Sequence, residues 1–165
     1  MNLHIRPVNS ADQSVLWRML SYAARVEQDG TTDWSVLSTD PFLAAYALDW
    51  GRSGDIGFVA AHADSVMGVA WVRSVATIGH DPIGHYGDAE LVIAVEPAHL
   101  GLGIGTQLLT ALLAQTDAAG IVVYCSVRCD NPAQHLYRRA GFVECDRIVN
   151  RVGTESIVMQ RKEFV

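Results

Sequence analysis

The strongest constraint in this chain is a run of three alternate glycines, Gly101, Gly103 and Gly105, set between two differently patterned apolar stretches. Before it, ELVIAV (90–95) is short, ends in a β-branched residue and is closed by Pro97, which suits a buried strand. After it, Ile104, Leu108 and Leu112 recur at helical spacing, and Leu109 and Leu113 widen the stripe. The element is therefore strand, glycine loop, helix. Glycine at such a join lets the backbone approach a ligand closely, and the first helical turn adds unsatisfied N–H donors and the positive end of the helix dipole. That chemistry suits a phosphate. The spacing G-x-G-x-G does not match the dinucleotide fingerprint G-x-G-x-x-G, and a loop without lysine does not match the phosphate loop of NTPases. A glycine-rich turn that merely reverses the chain is the alternative.

The rest of the chain fits one domain spanning 1–165, a length that buries roughly 70% of the unfolded surface without a disulfide or metal staple. Half of the residues are hydrophobic and 18% are charged, which excludes a disordered chain. A net charge of -6 argues against a nucleic-acid partner, for which a basic stripe is expected. No stretch approaches the roughly 18 apolar residues of a membrane span, and MNLHIRPVNS has no apolar signal core, so the expectation is a cytoplasmic protein with no membrane partner. Cys125, Cys129 and Cys145 lack a paired zinc spacing and read as reduced thiols, Cys125 as a small core residue.

Taken in order, residues 3–8 read as a first strand, with Pro7 at its end or on an edge. Ser10 and Gln13 have capping-box spacing ahead of a helix over 11–25. Residues 26–36, with Glu27, Asp29 and Asp33, have no periodicity and read as a loop or irregular helix. Asp40 and Pro41 give a cap-plus-proline start to a helix running to about residue 50. A hairpin of strands at 56–62 and 67–77 follows, then a Gly, His and Asp-rich loop to residue 88 and the strand at 89–95. Beyond the glycine loop, Gly120 stops the long helix and IVVYCSV (121–127) reads as a strand buried on both faces. Asn131 and Pro132 open a helix ended by Gly141, and two closing strands form an antiparallel pair. The order β, α, α, β, β, β, α, β, α, β, β predicts an α/β (α+β) fold. Its sheet is mixed and mostly antiparallel, with a central right-handed parallel β-α-β unit and helices on both faces.

Two motifs carry a resemblance. One is the strand ending in V-x-P followed by G-x-G-I-G and a Leu-Leu helix; the other is NPAQHLYRRAGF (131–142), an Asn, a helix containing Leu-Tyr, then Gly-Phe. In this order, separated by one helix and one strand, they resemble the two signatures of the GNAT superfamily of acetyl-CoA-dependent N-acetyltransferases, most clearly from residue 89 to 142. The resemblance implies acetyl-CoA as co-substrate and an amine acceptor, either a small molecule or a peptide. It implies that the strand before the loop is locally bulged and splays from its neighbour, with the backbone of Ile93, Ala94 and Val95 pairing with the pantetheine arm. The amides of Leu100, Gly101, Leu102, Gly103, Ile104, Gly105 and Thr106 then hold the pyrophosphate, Asn131 joins the cofactor site through the second motif, and Tyr137 acts near the thioester sulfur. The family usually carries Arg or Gln three residues before the middle glycine, where this chain has Leu100; His99 beside it is either a substitute contact or a loop histidine facing solvent.

Acetyl transfer to an amine needs a base, an oxyanion donor and an acid for the departing thiolate. Tyr137 suits the acid, a phenol with an ordinary pKa of about 10 being protonated at neutral pH; its plain alternative is a core tyrosine. Glu90, where the central strand begins, is the candidate base, acting directly or through water, and its alternative is an edge carboxylate meeting solvent. His80, Asp81 and His85 lack a third ligand at matching spacing, so no metal is expected, although the histidines could line the acceptor pocket. A buried Cys125 is not expected to act as nucleophile. The rival function is a CoA-binding regulatory or sensor module with little or no turnover. The sequence leaves open the acceptor, the acyl chain, and whether the protein is a homodimer.

Overall fold

The computed structural model describes residues 1–26, 35–81 and 84–162; Glu27, Asp29 and Asp33 lie outside them. Seven strands hydrogen-bond into one sheet among these residues: β1 (His4–Pro7), β2 (Ile56–His62), β3 (Ser65–Ser74), β4 (Ala89–Val95), β5 (Val123–Arg128), β6 (Val143–Val149) and β7 (Glu155–Arg161). Their order across the sheet is β1-β2-β3-β4-β5-β7-β6. Only β4 and β5 run parallel; every other neighbouring pair is antiparallel. This is the expected mixed sheet, with Pro7 on its edge strand, where its missing N–H costs no ladder bond.

Helices cover both faces. On one lies α5 (Ile104–Ala118), whose Leu108, Leu109 and Leu112 are buried against Ala70, Val72, Leu91 and Cys125. On the other, α1 (Gln13–Ala23) presents Leu16, Met19 and Leu20 to Val69, Trp71, Val92 and Ala94. The two-residue period of β4 sorts its side chains between these clusters, Leu91 to the α5 face and Val92 to the α1 face. Truncating one of the fully buried leucines to alanine costs about 2–5 kcal/mol in such a core. The remaining helices are short: α2 (Val36–Thr39), α3 (Pro41–Ala44), α4 (Val75–Ile78) and α6 (Ala133–Arg139).

Four local expectations are corrected. The helix opened by Asp40, whose carboxylate caps Phe42 N–H at 2.9 Å, ends at Ala44 rather than near residue 50. The carbonyls of Ala45, Leu48 and Asp49 accept from the guanidinium of Arg73, and that of Tyr46 accepts from Trp71 Nε1, so they are withdrawn from a continuing helix. Arg73 is 1% exposed and also grips Asp55 at 2.9 and 3.1 Å. Removing one member of such a buried pair costs about 3–5 kcal/mol because the other charge is left unpaired. Ahead of α1 the capping box is formed by Asn9 and Asp12, not by Ser10 and Gln13, and leads into a 3-10 turn at Ser10–Asp12. Strand β3 stops at Ser74, whose hydroxyl caps α4. Finally, β5 is buried apart from the exposed Ser126 and the half-buried Arg128.

Candidate active site

The site is built where β4 and β5 part. At the base of the fork, the N–H groups of Asp88 and Ala89 both donate to Val122 O, and Asp88 Oδ2 accepts from Val122 N–H at 2.8 Å. Gly87 permits this clamp, since a Cβ there would stand 2.7 Å from the Val122 carbonyl oxygen. The ladder then lasts only two pairs, Ala89 with Val123 and Glu90 with Tyr124. Beyond Glu90 the β5-facing edge of β4 has no strand partner among the described residues, which leaves Ile93, Ala94 and Val95 as a stretch with ladder capacity on that side. The expected splay is present. The expected bulge is not: β4 pairs residue for residue with β3 from Val95 opposite Gly68 to Ala89 opposite Ser74. The parting comes instead from β5, which bonds β7 along its whole length and leaves β4 after two residues.

The open edge of β4 leads through a 3-10 turn (Pro97–His99) into the glycine loop. Gly101 and Gly103 adopt φ of +79° and +77°, and a Cβ at either would meet nothing within 4 Å. These two glycines serve backbone conformation in front of open space. Gly105 differs: its Cβ would press on Leu136 at 3.2 Å, so it sets the approach of α5 to α6. Gly103 is the N-cap of α5 and has no side chain to cap it, so the first-turn amides of Ile104, Gly105 and Thr106 are available to an anion. Leu100 is 66% exposed and Leu102 54%, and neither offers a polar contact. His99 does not simply face solvent, for its Nδ1 is buried and makes no hydrogen bond among the described residues.

Glu90 is 4% exposed, which removes the reading of a solvent-facing edge carboxylate. Its Oε1 accepts from Tyr46 OH at 2.8 Å and its Oε2 from Tyr124 OH at 3.1 Å. His80 Nδ1 lies 3.2 Å from Tyr46 OH and 3.8 Å from Glu90 Oε2, and its ring stacks on Phe42 at 3.7 Å, 8° from parallel. Burial first, and then the Glu90 charge, push both phenols well above their ordinary value, so they stay protonated and donate. Behind Tyr124 stands Tyr86, with ring centroids 5.7 Å apart; its phenol donates to Asp146 and is pushed up to about 12.

Tyr137 sits on the opposite face of the sheet, buried among Cys125, Phe142 and the α5 leucines. Its phenol makes no hydrogen bond among the described residues, and desolvation raises its pKa. Asn131 caps α6 through Oδ1, which accepts from Ala133 N–H at 2.9 Å. Asp81 is a loop staple, its two oxygens taken by the N–H groups of His85 and Tyr86. Cys125 is buried and its thiol is pushed up by desolvation, as suits an inert core residue. Sequence reasoning missed Tyr46 and Tyr124. The i, i+4 spacing of Phe42 and Tyr46 was a faint signal for one, and nothing local marked the other.

A family model described as an acetyltransferase (GNAT) domain matches residues 53–144, more than half of the chain. A Mycobacterium leprae protein, ML0378, is 33% identical over 139 residues, which are 81% of this chain and 34% of that protein; the chain thus spans about a third of the curated relative it matches. Among solved structures, the ribosomal-protein-alanine N-acetyltransferase of Brucella melitensis superposes with a TM-score of 0.71 at 23% identity, covering 97% of this chain and 99% of that one. The yncA structure from Salmonella typhimurium, which holds its cofactor acetyl-CoA, gives 0.65 at 22% identity, with coverages of 97% and 93%. At these identities the superpositions speak for the fold.

Proposed function

The chain belongs to the GNAT acetyltransferase family, and from that premise we propose that it moves an acetyl group from acetyl-CoA to an amine by direct attack. The observation that carries this reading is the fork between β4 and β5, with a buried carboxylate on one face and an apolar-held phenol on the other. Acetyl-CoA supplies the activated acyl group. The unpaired edge of Ile93, Ala94 and Val95 receives the pantetheine amides as an added strand would, and the amides from Leu100 to Thr106 hold the pyrophosphate. Asn131, at the start of α6, shapes the same side. Tyr137 OH gives its proton to the departing thiolate, and desolvation keeps that proton in place until the sulfur leaves.

Glu90 is the anionic end of the base system on the acceptor side. Both of its oxygens already accept a phenol proton, so it works through a bonded neighbour rather than by touching the amine. Acceptor choice rests with residues 26–36 and 77–88, the two long segments of weakest periodicity; 27–34 and 82–83 lie outside the described residues. The test is acetyl-CoA-dependent thiol release across polyamines, amino acids, aminoglycosides and peptide N-termini. An amine that drives turnover upholds the reading. CoA binding with no turnover for any amine favours a regulatory or sensor module.

A further inference from the structure

We propose that His80 Nε2 is the atom that receives the proton of the attacking amine, with Tyr46 and Glu90 holding the ring in the tautomer this needs. The assignment rests on the acyl-transfer reading above and sharpens its acceptor side. It follows from counting protons. A carboxylate oxygen only accepts, so the single hydroxyl proton of Tyr46 is committed to Glu90 Oε1. Toward His80 Nδ1, 3.2 Å away, that hydroxyl has only a lone pair to offer, and Nδ1 must therefore carry the hydrogen. In a neutral imidazole the other nitrogen is then bare. Nε2 is such an acceptor, and it is buried with no hydrogen-bond partner among the described residues.

An acceptor kept from water and left unpaired costs free energy unless a donor fills its place in the working complex. The ring's other constraints suit a reacting group. Gly79, at φ +79°, ends α4 and turns the chain so that His80 enters the cluster. Phe42 lies flat on the ring, and Glu90 Oε2, 3.8 Å from Nδ1, opposes the positive charge that the ring gains with a second proton. The step balances without a further reagent. As the amine nitrogen bonds to the thioester carbonyl carbon, its N–H proton passes to Nε2; the C–S bond breaks, and the sulfur takes the Tyr137 proton. His80 then gives its extra proton to solvent and Tyr137 takes one back from solvent, so the net change moves one proton from the amine to the thiol.

Two measurements on the full chain test this. Side-chain ¹⁵N resonances of His80 in its neutral form are expected to show hydrogen on Nδ1 and none on Nε2; the reverse tautomer overturns the proposal, whatever the turnover. In His80→Asn the side-chain amide still donates from the Nδ1 position but has no base at Nε2. We expect kcat to fall about 100-fold to 10,000-fold, with KM for acetyl-CoA unchanged. Added imidazole is expected to restore part of the rate to His80→Ala, which a purely structural histidine would not permit. A fully active His80→Asn enzyme shows that the ring only positions Tyr46 and sinks the idea, as does a bound water that stays on Nε2 when the amine binds. A wild-type chain that releases no thiol with any amine counts against acyl transfer itself, and the ¹⁵N tautomer then decides the His80 assignment alone.

Discussion

The two faces of the sheet at the fork solve opposite problems with the same side chain. On the α5 face one tyrosine, Tyr137, sits among apolar groups with no hydrogen bond among the described residues, and burial, followed by the neighbouring Cys125, raises its pKa. On the α1 face two tyrosines, Tyr46 and Tyr124, donate to Glu90 and satisfy a carboxylate that is 4% exposed. A phenol in an apolar pocket is a reserved proton, while phenols around a carboxylate are a solvation shell made of protein. The proposed division into acid and base rests on this contrast of environments, the logic by which one fold keeps two titratable groups in different roles at one pH.

The most severe way to break the comparison is to remove the loop that both faces serve. Gly103→Val places a β-branched residue at φ +77°, where strain costs about 1–2 kcal/mol but the added Cβ meets nothing within 4 Å among the described residues. The chain should stay folded and lose CoA binding by calorimetry; unchanged affinity would take the loop out of the site. Next in size, Tyr137→Phe should lower kcat about 100-fold to 10,000-fold with little change in KM for acetyl-CoA. Because desolvation holds the Tyr137 proton more tightly than in water, no alkaline fall in the wild-type rate below about pH 10 should trace to it. An alkaline limb in that range that vanishes in Tyr137→Phe would contradict its environment.

On the other face, Tyr124→Phe removes one of two donors from the carboxylate. A hydrogen bond to a charged group contributes about 1.5–3 kcal/mol, so kcat should drop about 10-fold to 100-fold while CoA affinity holds. Undiminished kcat would show that the shell around Glu90 is structural. The smallest effect lies away from the fork. Two hydrogen bonds from Arg6, at 2.8 and 2.9 Å, outweigh burial and hold the Asp12 carboxyl below its ordinary value. A carboxyl depressed in the folded state contributes stability that is fully present above its unfolded pKa near 3.9 and is lost as pH falls through the lower folded value. Asp12→Asn should therefore lower the Tm of a domain this size by a few degrees at pH 7, with the difference shrinking below pH 4. An undiminished gap at low pH would mean that packing, not the ion pair, set it.

Part of this site was legible along the chain because its physics is local. The strand at 89–95, the glycines and the α5 stripe lie within thirty residues, and their periods and φ requirements are properties of short segments. Tyr137 was reachable through its motif, and Glu90 through its place at the start of β4. Those same local rules overran at residues 45–49, where helix signals were sound but the carbonyls are held by Arg73 and Trp71, some 25 residues away.

The sequence by itself determined the order of the strands and of the long helices, the glycine loop ahead of α5 and the family, since each is written in spacing that neighbours enforce on one another. The tertiary structure alone decided what surrounds Glu90. Tyr46, His80 and Tyr124 come from three separated segments and carry no shared period, and they meet only because β3, β4 and β5 pair in one register while Arg73 and Trp71 pin the chain after α3. It also decided that β4 parts from β5 without a bulge, because the competing partner is β7, a strand more than thirty residues further along the chain. Hydrogen-bond direction within that cluster, and with it the bare nitrogen on His80, depends on which donors converge in space, which no linear pattern records.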